Sequence, residues 1–462
     1  MHTLSLSLAV IAVLVTQAAA QPSARGLYND YNYCQGITPV AHRTYKPMEN
    51  ATLRKVQVMM RHGDRTPSEV LPGDDTHYDI CSHPAEYSFM ATNDQSLRKT
   101  SSPILKSNIL VSDENLYVAA GSYWRGNCEV GQLTNKGSAQ TKQVGKHLRA
   151  IYVDQLQFLP RYLNPDDLYV RNTYISRTKA SAVNFLTGLY PHHRRKGDAV
   201  VVMNTYPEPI ETLILNRSAC PRLRQLYDAF VRTPTYTEHL KRNHALMQKV
   251  NSVLGVSHLS KYNSTLNGDF VVPRYCNSLP LGCRAQEDPA SCLTAKDVVE
   301  AVTESTFHLS GLFRDEEMAE EVKRLAVGPF LKTFTASIRA TVSQKSTKRR
   351  DQQHQQQQRV RPFEFYSAHD QSLDQVLSII AEPNTPWPAY ASTLIFETWT
   401  TRTIKNSSSG KSEDMIRVLY EGKVVPAHPK MGCTLDACPL ETFLQFVESY
   451  IPTDITIECS PI

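Results

Sequence analysis

The run Val58-Met59-Met60-Arg61-His62-Gly63-Asp64-Arg65-Thr66-Pro67 (VMMRHGDRTP) turns from apolar to cationic within one residue. Val56 to Met60 is short, mostly apolar and bounded by a loop signal, the pattern of a buried strand. Two arginines then bracket a histidine where that strand stops. The arrangement has two partners further along the chain. Leu168 to Val170 reads as a second strand. The helix after it spans 177–190, with Arg177 at its mouth, Val183, Leu186 and Tyr190 at helical spacing and Pro191 as its stop. Glu364 to Ala368 reads as a third strand, followed by His369, Asp370 and a helix carrying Leu373, Val376, Leu377 and Ile380. Another helix is expected from Thr134, a suitable N-cap, with Val144, Leu148, Ile151 and Tyr152 on one face.

A strand followed by a helix, three times over, argues for an α/β fold with parallel strands. The 462-residue chain is long enough for one large domain with an insertion, or for two domains. Between about 210 and 355 the pattern is helical, with periodic stretches at 237–254, 294–308 and 316–342. We therefore expect an α/β domain made of 50–205 and 358–462, interrupted by a helical cap over 206–357. Residues 76–130 form a smaller insertion after the first loop. Near the end, STLIFETWT and MIRVLYEGKVV read as two strands joined by a polar loop.

In open α/β sheets, ligands bind beyond the carboxyl ends of the strands. A parallel sheet would gather Arg61, His62, Arg65, Arg177, His369 and Asp370 there. Guanidinium forks match tetrahedral oxyanions and keep their charge at every relevant pH. Imidazole is an established covalent nucleophile, and the surrounding cations stabilise charge on a transferring phosphoryl group. A departing alkoxide needs a proton, and Asp370 is the carboxyl of the third cluster. Other readings stand beside these. Arg171 competes with Arg177 as the third arginine or else lies outside the phosphate site or faces solvent, Arg177 could instead be a helix-start arginine paired with a carboxylate, and Asp370 could serve as a helix N-cap. Asp64 reads as local support.

RHGDRTP resembles the Arg-His-Gly-x-Arg-x-Pro signature of the histidine acid phosphatases, branch 2 of the histidine phosphatase superfamily. The likeness continues through QLTNKGSAQTKQVGKHLRAIY, LYVRNTYISRTKASA, YSAHD, YASTLIFETW and MGCTLDACPLETF, from about residue 52 to the end. Lysosomal and prostatic acid phosphatases and 2-phosphoxylose phosphatase look most similar. The resemblance implies a phosphoglycerate-mutase-like sheet flanked by helices, with an inserted helical cap. It implies a phosphohistidine on His62, phosphate bound by Arg61, Arg65, Arg177 and His369, and Asp370 as general acid. It implies no metal and no cofactor. The motif is His-Asp rather than His-Ala-Glu, so a phytase-like enzyme is the less favoured alternative. A mutase on the same fold, and a catalytically dead protein binding phosphorylated glycans, are the others.

The family also bears on the ten cysteines. Cys433 with Cys438, and Cys220 with Cys459, match its pairings. Cys276 has a family counterpart whose usual partner position is Thr393 here, so Cys283 or Cys292 is expected to take it. Cys81 and Cys128 are expected to close the 76–130 insertion, and Cys34 has no obvious partner.

MHTLSLSLAVIAVLVTQAAA, residues 1–20, reads as a secretory signal peptide cleaved near Ala20. With the cysteines and sequons at Asn50, Asn216, Asn263 and Asn406, it indicates an exported or lumenal, glycosylated protein. No later segment reads as membrane-spanning. The net charge of +5 comes with basic runs at 192–196 and 345–350 that lack interleaved aromatics, which disfavours nucleic acid as a partner. The expected partner is a small phosphate monoester. The natural ester and the oligomeric state are left open.

Overall fold

The computed structural model describes residues 27, 29–70, 76–82, 87–90, 105–108, 125–197, 199–257, 267–285, 288–343, 360–402 and 412–461. The signal segment, the sequons at Asn263 and Asn406, the basic run at 345–350 and most of the 76–130 insertion lie outside them.

An eight-stranded sheet organises the protein. Its strands are β1 (Ala51–Arg61), β2 (Leu168–Asn172), β3 (Met203–Thr205), β4 (Phe363–Ala368), β5 (Thr393–Thr401), β6 (Asp414–Tyr420), β7 (Lys423–Val424) and β8 (Cys438–Pro439). The order is β7-β6-β5-β1-β4-β2-β3, with β8 paired to β6. β1, β4, β2 and β3 run parallel, as the strand-helix repeats require. The C-terminal strands β5 and β6 add antiparallel pairs on the other side. Antiparallel neighbours can be joined by a short connection, whereas parallel strands need a longer crossover.

Side-chain alternation along β1 separates two cores. Val56, Val58 and Met60 enter one, with Val144 and Leu148 from α1 (Asn135–Arg149) and Phe185 from α2 (Ser176–Leu189). Met59 enters the other. There it joins Phe330 and Phe334 of α7 (Ala319–Ser343), Leu373 and Val376 of α8 (Asp370–Ile380), and Phe443 of α9 (Leu440–Glu448). The sheet is thus the middle layer of three. Between β3 and β4 the remaining helices are α3 (Pro221–Phe230), α4 (Pro234–Val253), α5 (Asn267–Cys276) and α6 (Ala295–Ser310). α4, α5 and α6 share a separate core around Val250, Phe270 and Val298. Among the described residues, no helix is long and apolar enough to cross a membrane.

Local expectations hold in most places and fail in two. Thr134 caps α1 by accepting from the Gly137 amide, and Leu148, Ile151 and Tyr152 are fully buried. α2 departs at one position: Thr178, Ser181, Ala182, Phe185, Leu189 and Tyr190 are buried and Leu186 packs against the same core, while Val183 is 55% exposed. Glycines let α2 lie directly against α1: a Cβ on Gly188 would stand 2.1 Å from the Lys142 carbonyl oxygen, and one on Gly145 would stand 2.0 Å from that of Phe185. The second correction concerns cysteines. Cys276 pairs with Cys34, and Cys283 pairs with Cys292. The nine-residue spacing of Cys283 and Cys292 closes a tight local loop, which leaves Cys276 to reach the N-terminal segment. Cys81–Cys128, Cys220–Cys459 and Cys433–Cys438 form as expected.

The α2 register carries a stability test. Phe185 stacks on Phe365 at 3.8 Å between ring centroids, and both are fully buried. Phe185→Ala should cost about 3–5 kcal/mol in denaturant unfolding. Val183→Ser should stay within about 0.5 kcal/mol. A larger loss at 183 than at 185 would contradict this face assignment.

Candidate active site

Strand register builds the site. Arg61 pairs with Ala368 across β1 and β4, and Asn172 pairs with Ser367 across β2 and β4. The residue after each strand therefore emerges at the same sheet edge: His62, His369 and Thr173. The His62 amide still bonds to the Ala368 carbonyl at 3.0 Å, so the first loop residue remains part of the ladder. The imidazoles of His62 and His369 lie 5.4 Å apart, edge to face.

Two glycines fix the loop that follows. A Cβ on Gly63 would stand 2.3 Å from the Gly137 carbonyl oxygen, and one on Gly137 would stand 2.1 Å from that of Asp64. The loop thus rests directly on the first turn of α1. Asp64 is fully buried and accepts from the Thr134 hydroxyl at 2.6 Å and from the Asn277 amide at 2.8 Å. Burial pushes its carboxyl up, and those two donors oppose the shift. It acts as local support, in line with its reading from sequence.

A cavity of about 460 Å³ opens at this edge. His62, Arg65, Arg177, His369 and Asp370 all line it. Arg61 lies beneath. Its guanidinium donates to the Pro388 carbonyl at 2.7 Å and the Tyr33 hydroxyl at 3.0 Å, pairs with Asp370 at 2.9 Å, and packs over the Tyr390 ring at 4.2 Å. All six residues nominated from sequence therefore meet at one place. Arg171 does not join them. It is bound to Glu211 at 2.5 Å and to Thr212, and lies over the Tyr206 ring. Asp370 is the first residue of α8 rather than its cap. His369 holds the cap position, and its amide donates to the Ser372 hydroxyl at 3.2 Å.

The electrostatics are one-sided. His62 Nδ1 is 2.8 Å from the Gly63 carbonyl oxygen, which can only accept, so Nδ1 carries the proton and Nε2 keeps its lone pair. Burial drives the His62 pKa well below the ordinary histidine value, and the charges of Arg177, His369, Arg61 and Arg65 push the same way. His369 is lowered for the same reasons, burial first and then Arg177, Arg65 and Arg61. Its Nε2 lies 3.0 Å from the Thr173 hydroxyl. Arg177 is pulled down to about 10, by burial and by neighbouring Arg65. The Nε atoms of Arg61, Arg65 and Arg177 are all buried without a partner among the described residues. The Nε atoms of Arg171 and Arg194 are in the same state, so the feature that suits an anion is the convergence of Arg65 and Arg177 on one cavity with Arg61 beside it.

Sequence reasoning missed three contributors. Tyr33 and Tyr390 support Arg61, and their position follows from the Cys34–Cys276 bridge and the Gly36 amide bonding to the Tyr390 carbonyl. Asp269 comes from α5, inside the helical stretch. It pairs with Arg65 at 2.5 Å and accepts from the Ser68 amide at 2.9 Å and from its hydroxyl. Burial works against its charge, but Arg65 and Ser68 hold its carboxyl below the usual range. No local sequence signal marks it, because its helix contains Pro273 and lacks a clear apolar period.

Two buried neutral imidazoles make stability depend on pH. In the unfolded chain they take up protons as pH falls through about 6.5, while in the folded protein they resist until much lower pH. The unfolded state then binds more protons, so the ligand-free protein should lose stability from pH 7 to pH 5. Thermal scans should show a falling Tm, with a shallower fall in His62→Ala. An equal slope in both proteins would remove His62 from this account.

Residues 52–421 match the family model of the histidine phosphatase superfamily (branch 2). Similar proteins include counting factor 60 of Dictyostelium discoideum, 26% identical over 436 residues that span 93% of this chain and 92% of that protein. Lysophosphatidic acid phosphatase type 6 of Bos taurus is 26% identical over 408 residues, 86% of this chain and 83% of that one. 2-Phosphoxylose phosphatase 1 of Danio rerio is 25% identical over 466 residues, 92% and 84% of the two chains. Among solved structures, the Hafnia alvei phytase in complex with myo-inositol hexakis sulphate aligns with a TM-score of 0.54 at 16% identity, covering 90% of this chain and all of that one. The Citrobacter braakii phytase gives 0.53 at 15%, covering 88% and 99%. These structures speak to the fold. The chain belongs to the histidine phosphatase superfamily, branch 2, and is a phosphoric monoester hydrolase.

Proposed function

We propose that this branch 2 histidine phosphatase cleaves phosphate monoesters through a phosphohistidine on His62, in an oxidising lumen or outside the cell. The observation that carries the reading is the neutral His62, its Nε2 lone pair free beside three arginines whose Nε atoms lack partners. Arg61, Arg65, Arg177 and His369 bind the phosphoryl oxygens. His62 Nε2 attacks phosphorus while the bond to the ester oxygen breaks, and Asp370, having taken a proton from the ester bound as its monoanion, passes that proton to the leaving oxygen. The Asp370 carboxylate then takes a proton from water as the water oxygen attacks phosphorus. The P–N bond breaks, and inorganic phosphate leaves with His62 neutral again. Arg61, paired with Asp370 in the free protein, is oriented to spread charge to the bound anion.

Five disulfides support an oxidising compartment, and a signal segment at 1–20 would deliver the chain there. Asn50 is exposed and suits glycosylation, whereas the Asn216 side-chain amide donates to the Glu208 carbonyl. The reading of 206–357 as a cap is supported by the separate core of α4, α5 and α6. α7, although within that span, contributes to the core of the sheet.

The names of similar proteins offer three substrate types: a lysophospholipid, a phosphorylated sugar and an inositol polyphosphate. The cavity wall favours an ester with an apolar portion. Ile175, Ile214, Leu215, Val302, Leu309 and Trp387 face the space above the phosphate-binding groups. A phytase-like activity rests on fold likeness alone.

The roles are separable by kinetics. His62→Ala should lower kcat/KM on every ester by about a thousandfold or more, with retained folding by circular dichroism. Asp370→Asn should cost about 10²–10⁴ on an alkyl phosphate, which needs a protonated leaving group, and far less in phosphoenzyme formation from an aryl phosphate. Equal losses on the two ester types would assign the acid role elsewhere.

A further inference from the structure

We propose that Asp269 is a specificity-determining residue that confines this enzyme to esters bearing a single phosphate. The inference rests on the phosphatase reading and deepens it. Asp269 is a carboxylate within contact distance of a phosphate-binding guanidinium, at 2.5 Å from Arg65. It is held there from both sides. The Ser68 amide and hydroxyl donate to its other oxygen, and that serine follows the catalytic loop. α5 itself is tied down at its far end by the Cys34–Cys276 bridge and by the Lys136 ammonium bonding to the Cys276 carbonyl. Asp269 is therefore a fixed negative charge beside the reacting phosphate, and its freedom to swing away is small.

The rest of the mouth gives a second phosphate little compensation. Beyond the phosphate-binding set, Arg217 is the cation among the described residues lining the cavity, and it packs over the Tyr227 ring at 4.0 Å. His308 also lines the wall, but both ring nitrogens are engaged, with Tyr227 at 2.6 Å and Tyr236 at 2.7 Å. Burial, with Arg217 and His239 adding to it, pushes its pKa down to about 4, so it is neutral in the working range. The other wall residues are apolar or hydroxylic, apart from the uncharged amide of Gln371. A site for a polyanion needs cations spread over its mouth, since each extra phosphate must lose water and meet positive charge. Here a polyanion would meet Asp269 at close range in a low-dielectric cleft, where repulsion is weakly screened. Discrimination of this kind works by rejecting the wrong ligand rather than by gripping the right one. The single phosphate of a monoester is neutralised by the three arginines, and its alcohol extends along the apolar wall.

The test compares hexyl phosphate with myo-inositol hexakisphosphate, using the disulfide-bonded protein and Asp269→Asn. The readout is the ratio of the two kcat/KM values, because the absolute rate on hexyl phosphate also responds to the changed surroundings of Arg65. The wild type should favour hexyl phosphate by about a hundredfold or more, and Asn should narrow that preference about tenfold or more. A ratio unmoved by the substitution, or a wild type equally good on both esters, overturns the proposal. A second arm needs neither turnover nor a folded variant: calorimetric binding of sulphate and of myo-inositol hexakis sulphate to the wild type. Hexakis sulphate binding no tighter than sulphate supports the proposal. Binding more than tenfold tighter overturns it, as does the failure of both anions to bind. Loss of turnover on every ester, with sulphate binding intact, would sink the phosphatase reading; the same two titrations on Asp269→Asn, where hexakis sulphate should gain on sulphate by about tenfold or more, would still decide the role of Asp269.

Discussion

Everything at the catalytic edge depends on an imbalance of buried charge. Arg61, Arg65 and Arg177 converge with two imidazoles around one cleft, and among the described residues Asp269 and Asp370 pair with them. Bringing cations together away from water is unfavourable, and a folded protein tolerates it where the surroundings leave no alternative. Here the sheet supplies that compulsion. The β1–β4 register sets Arg61 beside Ala368, so His62 and His369 must emerge together. Tyr33 and Tyr390 rings under Arg61, and the Pro388 carbonyl against it, hold the guanidinium where it could not escape to solvent. An anion relieves the strain of this arrangement. In the proposed reading, affinity for a phosphoryl group and the low basicity of His62 arise from one cause.

The parts of the fold carried by short-range pattern were legible in the residues. Val56 to Met60, Leu168 to Val170 and Glu364 to Ala368 read as strands because their apolar runs end abruptly in polar loops. Thr134 read as a cap because hydroxyl capping is local chemistry. The reading broke down where the deciding contact lay far along the chain. Val183 shares helical spacing with Leu186 and Tyr190, yet they pack on the core and it faces outward, because the faces of α2 are set by its close fit against α1. The pairing of Cys34 with Cys276 spans 242 residues and leaves no trace in spacing. Arg171 and Arg177 were distinguishable only by what lies opposite: Glu211 consumes the charge of the first, and the second faces the cavity.

Some charged residues in the recognisable segments turn out to serve packing. Glu397 of β5 accepts from the Tyr45 and Tyr152 hydroxyls, the Trp399 indole and the Arg417 guanidinium, all inside the fold. Lys55, Gln57 and Tyr366 gather on Glu364 in the same way. Such clusters are satisfied within themselves and carry no unmet demand. The catalytic edge differs because its donors outnumber its acceptors. That asymmetry, rather than burial of charge as such, separates the reactive cluster from the structural ones.

The bridge between Cys34 and Cys276 joins two walls that the backbone would otherwise leave independent. One carries Tyr33 beneath Arg61; the other carries Asp269 beside Arg65. The sheet itself contains no cysteine of this pair, so its hydrogen-bonded ladder does not require thiol oxidation. A cell making this chain in a reducing cytoplasm would accordingly obtain molecules with the strands in order and the entrance unfastened. Bulk secondary structure would then be a poor gauge of a competent preparation, and thiol titration a better one.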